Sequence, residues 1–199
     1  MPSQITSRIV SRFLRKELIL KQAILKQALR LTTLKKFFQG PKALGVLSGY
    51  TVASKHQNKV RHGDLIQDLQ KKGLRPHPLK GKWEGVAEKS VIVPGIPASY
   101  IFALGKKYDQ DAVIYKGTDG VVGMYDHKKG RVTLAVDVHA NQAIAMAAQA
   151  AGQELYSKAR GTEFSINFLW GQDIPWDGKT PVNKDRVIEL INQGVLKFE

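Results

Sequence analysis

The chain contains no cysteine, which excludes a disulfide framework, a thiolate nucleophile and every zinc site built on thiolates, and leaves a reducing compartment permitted. Long apolar runs are missing too. Unbroken stretches such as Leu18-Ile19-Leu20 fall far short of the roughly 20 residues that span a bilayer. No transmembrane segment and no signal peptide is expected, and the expected location is cytoplasmic or virion-associated. The five histidines, at 56, 62, 77, 127 and 139, show neither His-x-x-x-His nor His-Glu-x-x-His spacing, so nothing supports a helix-borne zinc site, and no metal or other cofactor is expected. The phosphate-cradling Gly-x-x-x-x-Gly-Lys-Ser/Thr loop, the Gly-x-Gly-x-x-Gly turn and the Gly-x-Ser-x-Gly elbow are absent from the sequence as well, which argues against the standard nucleotide loops and serine hydrolase chemistry.

Acids are scarce in one part of the chain only. Between Met1 and Gly63 the single acid Glu17 faces 13 Lys and Arg, whereas Asp64 to Glu199 carries 18 basic and 16 acidic residues. Almost all of the net +14 therefore sits in the first third, the pattern of a basic arm on an ordinary globular domain. A length of 199 residues with 43% hydrophobic residues suits one domain with an appendage: residues 1–40 as a helical arm and residues 41–199 as the domain.

The arm reads as a helix from Ser3 or Ser7 to about Phe38, stopped by Gly40-Pro41. At 100° per residue, Arg8, Arg12, Arg15, Lys16, Lys26 and Arg30 share one arc, with Lys35 and Lys36 following. Ile9, Val10, Phe13, Leu14, Leu20, Ile24, Leu25, Ala28 and Leu31 lie mostly opposite. Such a helix suits phosphate-directed binding to a nucleic acid. It equally suits an anionic membrane surface, where Phe13, Leu14, Phe37 and Phe38 would insert, or packing on its own domain, a second copy or another protein. Its acid-poor, Ser- and Arg-bearing start is also the pattern of an organellar transit peptide.

Beyond Pro41 short strands and helices alternate. The patterning predicts strands within Val46–Ala53, at Lys89–Val93 and at Ala112–Tyr115, and a hairpin of Val121–Tyr125 with Arg131–Val138. It predicts helices over Asn58–Lys72, Ala98–Tyr108, His139–Ala159 and Lys184–Gln193, a late strand at Glu163–Leu169, and a loop from Trp170 to Asn183. The fold class expected is α/β or α+β, a single mixed-sheet domain behind an N-terminal basic amphipathic helix.

Polar residues gather where a strand should hand over to a helix. Ser54, Lys55, Asn58, Lys59 and Arg61 fall between the first strand and the next helix, where sheets present ligand loops and helix N-termini favour anions. Glu88 and Ser90 lead into the third apolar run, with Glu88 poised to meet Arg61 in a charge-assisted pair, and Gln110 leads into the next strand. These six candidates (Ser54, Asn58, Arg61, Glu88, Ser90 and Gln110) form either a ligand site or a structural network. Asp109 with Asp111, and Glu84 with Glu88, are carboxylate pairs that lack a third metal partner. Trp170 and Trp176 bracket a Gly/Pro-rich loop where rings would stack on single-stranded bases if exposed, or else cover the core.

Four short motifs occur in order: Ser54-x-x-x-Asn58-x-x-Arg61, Leu65-x-x-Asp68-Leu69-x-x-x-Gly73, Gly81-x-Trp83-x-x-x-x-Glu88-x-Ser90 and Gln110-Asp111-Ala112-Val113. Over about Tyr50 to Tyr115 the chain resembles a family of uncharacterised bacterial and phage proteins known as a domain of unknown function. The resemblance implies a common fold and a cluster of polar positions, without a mechanism, and its phage members suggest packaging or delivery with a genome. The expected function is thus a basic nucleic-acid-associated binding protein. The alternatives are a membrane-surface or partner-binding protein acting through the helix, and a small enzyme acting on an anionic nucleotide-like substrate at Asn58, Arg61, Glu88 and Gln110.

Overall fold

A computed structural model describes residues 37–51, 55–83, 86–139, 156–159, 162–169 and 171–197. Most of the arm lies outside the described residues, including Arg8, Arg12, Arg15, Lys16, Lys26, Arg30, Lys35 and Lys36, and so does Ser54. Residues 37–39 are helical and the helix ends at Gly40-Pro41, as the breaker pair predicts.

Among the described residues nine strands follow: β1 Leu44–Ser48, β2 His77–Trp83, β3 Val86–Pro94, β4 Ala112–Lys116, β5 Val122–Asp126, β6 Arg131–His139, β7 Tyr156–Ala159, β8 Thr162–Phe168 and the two-residue β9 Ile174–Pro175. Among the described residues, besides the helical residues 37–39, they are accompanied by three α-helices, α1 Asn58–Lys71, α2 Ala98–Lys107 and α3 Lys184–Asn192. Strand order is β5-β4-β1-β3-β2-β7-β8-β6-β9, and β5 also pairs with β6. The extra pairing closes the first eight strands into a ring, so none of them is left as a free edge. Helices packed on one sheet make the α/β or α+β domain that the sequence predicts. Every described pairing is antiparallel, so neighbouring strands alternate in direction throughout, the sheet is antiparallel rather than mixed, and α+β is the better description. The tight links β2–β3, β5–β6 and β7–β8 are hairpins, which can join only antiparallel strands.

Two cores lie on the two faces of this sheet. All five residues of β1 are buried because both faces are covered, which is why Leu44-Gly45-Val46-Leu47 reads as one apolar run. Leu47, Val91, Val93, Val113, Tyr115 and Tyr125 meet Leu65 and Leu69 of α1, Ile101, Phe102 and Leu104 of α2 and Leu190 of α3. On the opposite face, Leu44, Val46, Leu79, Ile92, Ile114, Met124, Ile166 and Phe168 pack together with Phe38, and Phe37 joins them from the side. Gly45 faces the helices, where a Cβ would stand 2.4 Å from Ile101 Cδ1; α2 rides this close only because β1 has a glycine there.

The end of α1 shows why its boundary is legible. Gly73 takes φ +72°, its N–H reaches the carbonyl of Gln70 and the N–H of Leu74 that of Leu69, a glycine-dependent helix stop. One expectation fails clearly: Ala and Gln enrichment predicts helix to Ala159, yet Tyr156–Ala159 is a strand paired with both β2 and β8. Two-sided pairing overrides local propensity there; residues 140–155 lie outside the described residues.

Candidate functional site

The polar residues converge where β1 hands over to α1. Ser48 ends β1 on the same face as Leu44 and Val46, with Ser90 of β3 directly opposite. Gly49 then presses its backbone against α1, since a Cβ there would stand 2.7 Å from His62 Cα and 2.8 Å from the Arg61 carbonyl. This close approach lets α1 clamp the loop. Asn58, buried at the first turn of α1, accepts from the Thr51 N–H at 3.0 Å and donates to the Thr51 carbonyl at 3.1 Å. Arg61 donates through Nε to the Gly49 carbonyl at 3.1 Å and through Nη2 to the Tyr108 carbonyl.

Gln110 closes the network from the other side. Its Oε1 accepts from the Ser48 N–H at 3.2 Å, and its Nε2 donates to the carbonyls of Tyr50 at 2.8 Å and Tyr108 at 3.3 Å. Asp109, with φ +47°, turns the chain after α2 so that Gln110 points inward; Asp is among the few residues that adopt this conformation without glycine. Lower down, Asp68 of α1 accepts from Lys107 Nζ at 2.5 Å and from the Tyr108 hydroxyl at 2.7 Å. These two bonds hold its carboxyl below the usual carboxylate range. Asn58, Arg61 and Gln110 thus tie β1, α1 and the end of α2 together through backbone carbonyls and N–H groups that would otherwise lack partners, and Asp68 adds a side-chain tie between α1 and α2.

Glu88 and Ser90 stand apart from that clamp. Sequence reasoning sets Glu88 before the third strand and against Arg61. Instead it is the third residue of β3, opposite Gly81, and Arg61 spends its donors on carbonyls. Burial pushes the Glu88 carboxyl up, the nearby Asp111 charge pushes the same way, and the hydroxyls of Ser48 and Ser90 work against them. Asp111 itself pairs with Lys128. Asp109 ends α2 through its positive φ, and Asp111 belongs to a surface ion pair; among the described residues no three His, Asp or Glu side chains gather. The Ser48 hydroxyl donates to the Lys89 carbonyl at 2.7 Å and accepts from the Tyr50 N–H at 2.9 Å, which leaves it unsuited to nucleophilic attack.

Ser48 and His62 are the residues that sequence reasoning misses. Ser48 looks like the tail of an apolar run, and only period-two counting from Leu44 and Val46 puts it on the Glu88 face. His62 fails every metal spacing, yet its ring meets Tyr50 edge-on at 5.6 Å, its Nδ1 is buried without a partner among the described residues, and burial followed by the Lys89 charge pushes its pKa down. Trp176, considered above as a stacking platform, packs on Phe102, Tyr125 and His127 with centroids 4.8, 5.1 and 5.1 Å away and so serves the core. Trp170 lies outside the described residues. Of the basic candidates, Lys59 is exposed on α1, and Lys55 opens a single 3-10 turn, Lys55–Gln57, that leads into it.

A family model described as a protein of unknown function (DUF3293) matches residues 51–113, the stretch that carries the four motifs. No curated protein matches the chain. The matched segment contains Asn58, Arg61 and Gln110 of the clamp and the β2–β3 hairpin, while Ser48, Gly49 and Tyr50 precede it.

Proposed function

We propose that this protein is a basic nucleic-acid-associated binding protein that holds phosphate backbones without reading their sequence. The observation that carries this reading is the unbalanced charge of residues 1–63, 13 bases against one acid. The later part of the chain does not share that excess. Lys107 pairs with Asp68, Lys128 with Asp111, Arg131 with Asp173 and Arg186 with Glu189, so many of its cations are locally neutralised. Charge left without counter-charge favours a polyanion, and released counterions supply the binding free energy. The clamp supports binding over catalysis, because Asn58, Arg61 and Gln110 are engaged with the backbone. Packaging or delivery with a genome is the biological setting we propose.

Truncating the arm is the wrong test, since Phe38 is part of a core. Replacing Arg8, Arg12, Arg15, Lys16, Lys26 and Arg30 by Gln in the full chain keeps that core. Fluorescence anisotropy with labelled DNA and RNA over a salt series should show a steep negative salt slope for the unmodified chain and a much shallower one for the variant. An unmodified chain that binds neither at near-physiological salt overturns the reading. Vesicles with and without anionic headgroups separate nucleic acid from a membrane surface.

A further inference from the structure

Helix α3 is apolar on more than the side it buries. Val187 and Leu190 pack on the main core, while Ile188 and Ile191 remain 46% and 41% exposed and Val195, just past the helix, 53%. Among the described residues these are three of the four large apolar side chains left exposed, the other being Val60. At 100° per residue Ile188 and Ile191 share one flank of α3, beside the buried seam, where a further helix would lie alongside. Apolar residues over so wide an arc suit a helix covered on two sides, and the described residues cover only one.

Chain connectivity brings a matching segment to this place. Residues 1–36 precede the first described residue and lead into Gly40, whose carbonyl accepts from the Lys116 ammonium at the end of β4. The turn after Lys116 carries Asp119, whose carboxylate accepts the N–H of Lys184, the first residue of α3, at 2.8 Å. The arm therefore joins the domain at the end of the sheet where α3 starts. Its sequence places Leu20, Ile24, Ala28 and Leu31 at a spacing that sets all four on one side of a helix. From Leu20 to Leu31 such a helix spans about 16 Å, enough to run along the nine residues of α3, about 14 Å. Tethered at Gly40, the arm meets α3 at an effective concentration on the order of millimolar, far above that of a second copy in dilute solution.

We infer that the arm docks on its own domain, with the Leu20, Ile24, Ala28 and Leu31 side packing on Ile188, Ile191 and Val195. Arg15, Lys26 and Arg30 lie away from that side of the helix, so docking turns the basic face outward and fixes it to the domain. Phosphate binding as proposed above is compatible with this arrangement and is not required by it.

Amide hydrogen exchange of the full chain, read by mass spectrometry, tests this. Peptides covering residues 20–31 should be protected in the unmodified chain. Ile188→Ser together with Ile191→Ser, both at exposed positions, should speed their exchange about ten-fold or more and leave peptides of β1 and β3 unchanged. Val195→Ser is the milder change and should act in the same direction by less. Exchange of residues 20–31 at the rate of an unstructured peptide in the unmodified chain overturns the inference, as does protection that survives the double variant. Should the double variant disturb β1 as well, Val195→Ser carries the test, and no response of residues 20–31 to it overturns the inference. Protection that fades on dilution, with a dimer mass by light scattering that the double variant loses, assigns α3 to a second copy and overturns it too, and so does a response confined to residues 140–155. No nucleic acid is present in these measurements, so anisotropy with the arm-charge variant decides the phosphate reading separately.

Discussion

Lys116 holds Gly40. The lysine is only 1% exposed, and its ammonium donates to the carbonyl of Gly40 at 2.7 Å and to that of Lys42 at 2.8 Å. The chain therefore enters β1 over a buried cation that satisfies the carbonyls around the Gly40-Pro41 helix stop. Lys116→Met keeps the length of the side chain but removes its donors. Leaving two carbonyls without a partner should cost about 2–4 kcal/mol in urea unfolding; a loss near zero would mean water replaces the ammonium.

Two glycines on neighbouring elements should respond oppositely to the same substitution. Gly49→Ala drives a methyl to within 2.8 Å of helix backbone at Arg61 and His62, which cannot move without shifting α1, and should destabilise by about 1–3 kcal/mol. Gly63, inside α1, has nothing within 4 Å of its Cβ position, so Gly63→Ala should stabilise by about 0.5–1 kcal/mol. Thermal or denaturant unfolding of the two variants side by side checks both signs.

Arg61 and Gln110 both donate to the Tyr108 carbonyl, so their contributions should not add. Each alanine variant should lose about 1–3 kcal/mol, and the double-mutant cycle should give a coupling of about 0.5–2 kcal/mol. Strict additivity would show that the clamp is two independent fastenings.

Glu88 separates architecture from chemistry. Its pKa is raised from 4.5, so the folded state holds the proton more tightly than the unfolded chain. Its stabilising effect is full below pH 4.5 and is lost as pH rises through the folded value. Glu88→Gln mimics the neutral form and should raise the Tm at neutral pH while flattening the decline above pH 4.5. A lower Tm in that variant would show that the fold requires the carboxylate.

His127 lies among Phe102 and Trp176 with both ring nitrogens buried and without hydrogen-bond partners among the described residues. Burial and then Lys106 push its pKa below 6.5, against a smaller opposing pull from Asp126. The folded state prefers neutral imidazole, so this contribution is complete above pH 6.5 and lost as pH falls through the folded value. His62 shifts the same way. His127→Phe should reduce the loss of Tm between pH 7.5 and 5.5; an unaltered loss would assign the acid sensitivity to His62.

The sequence alone determined whatever depends on local periodicity and backbone chemistry. Gly40-Pro41 and Gly73 end helices because of what their own backbones can adopt, and α1, α2, α3 and the β5–β6 hairpin follow from apolar spacing that one-sided burial requires. The charge imbalance of residues 1–63 is likewise a property of composition. Tertiary structure decided everything that depends on partners distant in the chain. Tyr156–Ala159 became a strand because β2 and β8 pair with it. Arg61 met carbonyls rather than Glu88 because the Gly49 loop and the end of α2 reach it first, while Glu88 sits within β3 beside Ser48 and Ser90. Lys80 came to stand between Lys89 and Lys158 through strand register, and register is set by pairings between segments far apart in the chain, which local patterning does not encode.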